Sequence, residues 1–284
     1  MSESDAEREA MRRGPPSRPR PGARLISASS RLIWHLPVLA VALTISRPGT
    51  NSREDVTAET DPMRVATAAG VRTPALRGGP VEAPGGRGRS PRTGSPAAVP
   101  AQTTGRPIAA AAAKLADAPT AGLRTLTWPT DLDDPRIAEV LGRALHADLL
   151  DRAVAAAADF RELVVVKAPV LAHTDLQPAN VLCDNAGAWL LDLEYAALAP
   201  CEWDPAKLVI LARRFGDPTD VDELLDAWTG LDRDRLHRCV DAQEVLIVAW
   251  LARMAVRGTV GAVGEARHRA TSLGTPAVRW HHLA

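Results

Sequence analysis

A chain of 284 residues that is 46% hydrophobic but only 4% aromatic can bury a core built mainly from Ala, Val and Leu. Its net charge of zero hides two unlike halves: residues 1–113 hold 16 Arg and no Lys against 9 acidic residues, the remainder 18 basic against 25 acidic. The front-half arginines form no helical stripe and have no interleaved aromatics, which argues against nucleic-acid binding; Cys183, Cys201 and Cys239 are too sparse for a disulfide framework or a zinc site, so a reducing, cytoplasmic setting is expected.

Residues 1–24 are Arg, Pro, Glu and Ser without apolar periodicity and read as a disordered basic arm. Residues 25–72 read as a partial N-terminal lobe. In it the runs RLI, RLIWHL and VLAVALTI, separated by SASS and Pro37, predict strand, turn and strand. The basic start and the run PVLAVALTI have the look of an export signal. That run is too short to span a bilayer and contains Pro37, so no membrane association is expected. Residues 54–70 predict a helix ending at Gly70, with Met63, Val65 and Ala66 as its apolar contacts. Residues 73–107 carry Pro or Gly every few positions and read as linker or disorder.

Residues 108–284 have the pattern of a folded lobe. Asp134 and Pro135 predict the cap and first turn of one helix in which Ile137, Val140, Leu141, Leu145, Leu149 and Val154 recur at helical spacing. VLA then leads into HTDLQPAN, and VLC, DNAG and AWLL predict a hairpin. Asp204 and Pro205 predict the cap of a helix stopped by Gly216. Asp220 and Glu223 have capping-box spacing, residues 233–257 form an amphipathic helix ended by Gly258, and a last helix covers about 264–272.

HTDLQPAN supplies His173, Asp175 and Asn180, and Asp192 with Glu194 follows on the next strand. Phosphoryl transfer from a nucleotide needs a group that accepts the proton of the attacking hydroxyl, and hard oxygen ligands for Mg²⁺. An aspartate opening a loop can do the first; an asparagine five residues on and an aspartate at the end of the neighbouring strand can do the second. The bland alternative makes Asp175 and Asn180 ordinary turn residues, His173 a loop-holding side chain, and Trp189 and Trp203 core residues. The acid-rich stretch 217–244 is either a solvated helix face or a field that attracts a cationic substrate.

His173-x-Asp175-x4-Asn180 followed by Asp192-x-Glu194 resembles the catalytic and metal-binding signature of the aminoglycoside phosphotransferase and choline kinase-like family, and LLDLEYAALAPCEWDP continues the likeness. The resemblance implies an α+β, protein kinase-like fold, with a small, reduced or degenerate β-containing N-lobe and a mainly helical C-lobe over 108–284. It implies ATP and Mg²⁺ as cofactors and a small hydroxylated molecule as acceptor. It makes Asp175 the catalytic base beside His173, Asn180 and Asp192 the nucleotide and Mg²⁺ ligands, and Asp204 a brace of the catalytic loop. Glu194 is either a further metal ligand or a partner of a main-chain donor. Glu59 stands where the family's helix supplies a glutamate.

Three positions depart from that pattern. Thr44 stands where the family has a phosphate-binding Lys or Arg, and no lysine precedes Lys114. Pro62 is expected to disturb the helix that carries Glu59. No apolar strand for adenine is legible within 73–107. Two functions are therefore set against each other: an ATP-dependent small-molecule kinase, and a catalytically impaired remnant that binds a small molecule or a protein. A compensated reading-frame shift in the DNA coding for residues 76–107 would also produce the break in pattern, and translating that stretch in the other frames tests it.

Overall fold

The computed structural model describes residues 24–28, 31–36, 41–46, 53–74, 76, 81–83, 87–93, 99–100, 105–128 and 132–283. The chain divides into two compact units, Met1–Thr57 with Ala75–Gly94, and Ala58–Pro74 with Ser95–Ala284. The arm expected over residues 1–24 lies outside the described residues apart from Arg24.

The first unit holds a five-stranded antiparallel sheet of β1 (Arg24–Ala28), β2 (Arg31–Leu36), β3 (Val41–Ser46), β4 (Val81–Ala83) and β5 (Arg87–Thr93), in the order β1-β2-β3-β5-β4. The apolar runs separated by SASS and Pro37 become β1 to β3. Residues 73–107, expected as linker or disorder, instead contribute β4, β5 and a third strand, β6 (Val99–Pro100), and Gly105 opens a helix. The reason lies in β5, RGRSPRT: it pairs along β3 from Val41↔Thr93 to Ile45↔Arg89 without any apolar alternation. Pro91 is tolerated because β4 reaches only Arg87 to Arg89, leaving that side of Pro91 without a partner strand among the described residues.

Helix α1 (Arg53–Ala68) continues through Pro62, contrary to expectation. Its proline removes one main-chain bond, while Thr60, Pro62, Met63 and Ala66 are all buried, so packing outweighs a local penalty of about 3 kcal/mol. Gly70, at φ +76°, closes the helix as expected.

The second unit is mainly helical. It contains α2 (Gly105–Ala116), α3 (Pro135–Leu141), α4 (Arg143–Val166), α5 (Trp203–Ile210), α6 (Val221–Ala227), α7 (Arg233–Val256) and α8 (Ala262–Ser272). The single helix expected after Asp134 is two. Gly142 takes φ +87° and ψ 146°, donates to the Ala138 carbonyl at 2.8 Å and accepts from the His146 N–H at 3.0 Å, so it ends α3 and opens α4. Val154, assigned to the apolar face, is 70% exposed after the turn.

The core lies around α7, whose Leu236, Val240, Val248 and Leu251 pack with Leu149 and Leu163 of α4. Phe160 meets the buried Trp203 edge to face, with ring centres 5.1 Å apart. Burial raises the thiol pKa of all three cysteines, most strongly for the fully buried Cys239. The acid-rich stretch 217–244 goes largely into structure: Asp220 caps α6, Asp232 caps α7, Glu223 pairs with Arg106, and Glu244 pairs with the buried Arg214. No described helix is long and apolar enough to cross a membrane.

At Gly105 a Cβ would lie 2.7 Å from the main-chain atoms of Leu224. Gly105→Ala is therefore expected to destabilise the protein by about 1–3 kcal/mol, read as a lower denaturant midpoint, because main chain rather than a flexible side chain must move.

Candidate active site

Two small sheets in the second unit bring the motif segments together. β7 (Val170–Ala172) pairs antiparallel with β10 (Ala197–Ala199), and β8 (Val181–Asp184) with β9 (Gly187–Leu190). Residues 173–180 connect β7 to β8, and residues 191–196 connect β9 to β10. Ala172 faces Ala197 and Val181 faces Leu190, so both connections bridge the same two strand ends. HTDLQPAN and LDLE are neighbours because of strand pairing.

Main-chain bonds fix this neighbourhood. The Leu191 N–H donates to the Asn180 carbonyl at 2.8 Å, and the Leu191 carbonyl accepts from His173 Nε2 at 2.7 Å. His173 is fully buried, and its Nδ1 has no hydrogen-bond partner. Its ring thus holds the peptide that leads into Asp192. Asp192 adopts the left-handed conformation at φ 58°, as does the β-branched Thr174 at φ 63°. Such residues cost about 1–3 kcal/mol each and persist only where their surroundings hold them. Thr174 is held by two bonds: its N–H donates to Asp204 Oδ1 at 2.9 Å and its hydroxyl to the Tyr195 carbonyl at 2.7 Å.

Asp204 accepts from two successive main-chain N–H groups, His173 at 2.7 Å and Thr174 at 2.9 Å. Glu202, rather than the expected Asp204, occupies the N-cap position of α5, and Asp204 lies within the first turn with its carboxylate turned to the loop. Burial raises the Asp204 carboxyl above the ordinary carboxylate range, against the opposing pull of His173 and the two N–H donors. The start of α5 is held in turn by α7, through the Glu202–Arg235 ion pair at 3.2 Å and a bond from Gln243 to the Trp203 carbonyl.

Asp175 presents a partly exposed carboxylate. Oδ2 accepts from Gln177 at 3.1 Å and from Asn180 at 3.4 Å; Oδ1 lies 3.3 Å from Lys207 Nζ. The Asn180 amide nitrogen also donates to the Asp175 carbonyl at 3.0 Å, which leaves Asn180 Oδ1 for another partner. Glu194 is buried beside the site, and its carbonyl accepts from Arg124. Glu59 sits on α1, with its side chain outside the described residues. Of the two tryptophans, Trp203 is core; Trp189 is half-buried beneath the Arg72 guanidinium and donates to Asp184.

Among the described residues no three His, Cys, Asp or Glu side chains form a metal-holding group. An amide oxygen from Asn180 and a carboxylate from Asp192, the residue after Leu191, are a donor set of the kind that fits Mg²⁺, which takes one or two carboxylates and fills its shell with water and phosphate. Lys207 and Arg124 escaped sequence reasoning. Lys207 was legible in principle: it follows Asp204 by three residues on a helix, so the two share a face. Arg124 lies in a stretch with no pattern to read.

Residues 32–238 match the model of a phosphotransferase enzyme family. No curated protein matches the chain by sequence. Among solved structures, an amicoumacin kinase in complex with AMP-PNP, Ca²⁺ and Ami superposes with a TM-score of 0.69 at 12% identity, over 99% of this chain and 96% of the other. A choline/ethanolamine kinase family protein from Mesorhizobium loti gives 0.61 at 18% identity, over 95% of each chain. An aminoglycoside phosphotransferase from Streptomyces rimosus gives 0.56 at 17% identity, over 86% of this chain and 99% of the other. The α+β architecture described above is the kinase-like fold of these enzymes.

Proposed function

Since the chain belongs to this phosphotransferase enzyme family, we propose that it transfers the γ-phosphoryl group of ATP to a hydroxyl of a small molecule, with Asp175 as the base. The observation that supports the reading is that the Asn180 side chain bonds to Asp175 while the Asn180 carbonyl accepts from the N–H of Leu191, the residue before Asp192. Asp175 is partly open to solvent, so a hydroxyl can reach it. Two main-chain N–H bonds to Asp204 and one from the His173 ring hold the loop before any substrate arrives. Such preorganisation is most of what this chemistry asks of a protein, because the attacking and leaving oxygens must lie in line and the charge needs fixed partners.

Mg²⁺·ATP supplies the phosphoryl group and the charge neutralisation; Asn180 Oδ1 and the Asp192 carboxylate are the residues that would hold its metal. Asp175 takes the hydroxyl proton as the oxygen attacks. Asp204 keeps the Asp175 loop in place without touching the reactants. A hydroxylated acceptor, including an amino alcohol or aminoglycoside, suits a base with this exposure, and a cytoplasmic location would supply ATP.

Thr44 supports the competing reading, a lobe that binds ligands without turnover. It lies in β3, paired with Ile33 and Ser90, where the family pattern calls for a cation. Nucleotide-dependent stabilisation separates the two. At one hundred times its dissociation constant a ligand of the folded state adds about 2.7 kcal/mol. Wild-type protein is expected to show that gain with Mg²⁺·ATP, and Asp192→Ala to lose most of it. Equal stabilisation of Asp192→Ala would remove Asp192 from the metal set; no stabilisation of wild type at millimolar nucleotide would favour the non-catalytic reading.

A further inference from the structure

We propose that Lys207 is a catalytic residue that contacts the transferred phosphoryl group, an assignment that rests on the phosphotransferase reading above. Its ammonium lies 3.3 Å from Asp175 Oδ1, with the side chain 20% exposed. Among the described residues Asp175 is its one partner, so two of its three N–H donors remain for an incoming acceptor.

Reaction geometry places that acceptor. A base must lie within about 3 Å of the hydroxyl oxygen it deprotonates, and that oxygen must approach phosphorus at about 3–3.5 Å. A cation in contact with the base is therefore one hydroxyl away from the phosphoryl oxygens, on which the negative charge of the transition state resides. The loop supplies no such cation itself: the residue two after Asp175 is Gln177, a neutral donor to Asp175. α5 supplies it from outside the loop, one turn after Asp204.

The fold does not require the Lys207 contact. α5 is already fastened by the two Asp204 bonds, the Glu202–Arg235 pair, the Gln243 bond and the burial of Trp203. A partly exposed ion pair adds little to stability. An ammonium held beside the base and left with spare donors is accounted for by the charge it meets during transfer.

The test compares nucleotides that differ only in the terminal phosphate. Calorimetric titration of Mg²⁺·AMP-PNP and Mg²⁺·ADP is carried out on wild type, Lys207→Met and Lys207→Arg. Loss of a charge-assisted contact weakens binding by about tenfold or more. Lys207→Met is expected to show that loss for AMP-PNP with ADP affinity within twofold of wild type, and Lys207→Arg to recover part of it. In turnover, Lys207→Met is expected to lower kcat with little change in acceptor KM. Equal losses for both nucleotides would make Lys207 a structural residue, and no loss for either would remove it from the site; both overturn the assignment. If Lys207→Met does not fold, Lys207→Gln is read in the same way. Wild type that binds neither nucleotide overturns the phosphotransferase reading and this assignment with it, a result distinct from a failure of Lys207 alone.

Discussion

Asp175→Ala is expected to lower kcat by about 10²–10⁴-fold, the range contributed by a positioned general base, while Mg²⁺·ATP still stabilises the protein. The two readouts separate because of how the loop is held. The carboxylate of Asp175 takes part in the Lys207, Gln177 and Asn180 contacts. The loop's course is set instead by Asp204 on the His173 and Thr174 N–H groups, and by His173 on Leu191. Removing the Asp175 carboxylate therefore deletes the proton acceptor and leaves the Asn180 carbonyl–Leu191 tie, and with it the placement of Asp192. Asp175→Asn, which keeps shape but cannot accept a proton as carboxylate does, is expected to match alanine in kcat. A tenfold or smaller loss in both variants would leave Asp175 a turn residue.

Arg214→Ala carries the largest expected loss of stability, about 3–5 kcal/mol, as for any buried pair stripped of one partner. Arg214 is fully buried, forms a two-pronged pair with Glu244 of α7, and donates to the carbonyls of Thr275 and Val278. Its guanidinium stacks 4.5 Å from the centre of the Trp280 ring, while its own carbonyl accepts from the Trp280 N–H. One side chain thus joins α7 to the last stretch of chain. Losing it leaves a buried carboxylate and several carbonyls without donors, and thermal unfolding should fall by roughly 10 °C. Glu244→Gln, which keeps a hydrogen-bonding group for Arg214, should cost less than removing Arg214.

How much of this was legible in the sequence depends on whether a residue acts through its neighbours in the chain. The hairpin after HTDLQPAN was readable because DNAG carries its own turn chemistry: Asp184 accepts from the Ala186 N–H, and Gly187 takes φ 119°. The helix over 233–257 was readable because its apolar spacing and the closing Gly258 agree; the structure adds the Asp232 cap. Strand β5 was not, since its pairing with β3 is a long-range main-chain event and RGRSPRT has no face to read. Nor was the break at Gly142, which interrupts an apolar repeat that runs on as though the helix were continuous.

The candidate site divides the same way. The order His173, Asp175, Asn180, Asp192 was visible as a motif, but what brings its two halves together is the pairing of β7 with β10 and β8 with β9. Asp204 followed by Pro205 has the local grammar of a helix cap, yet its carboxylate turns to a loop about thirty residues earlier in the chain. Lys207 offered only its helical spacing from Asp204, and Arg214 carried no local signal, because a cation on a helix reads as surface until its buried partner is known.

The most direct measurement is phosphorus NMR of the purified protein with Mg²⁺·ATP and a panel of amino alcohols and aminoglycosides, alongside Asp175→Ala. A new phosphomonoester resonance that grows with ADP in the wild type and is absent in the variant is the predicted result. No ester with any acceptor, together with no change in thermal stability on adding Mg²⁺·ATP, would contradict the account.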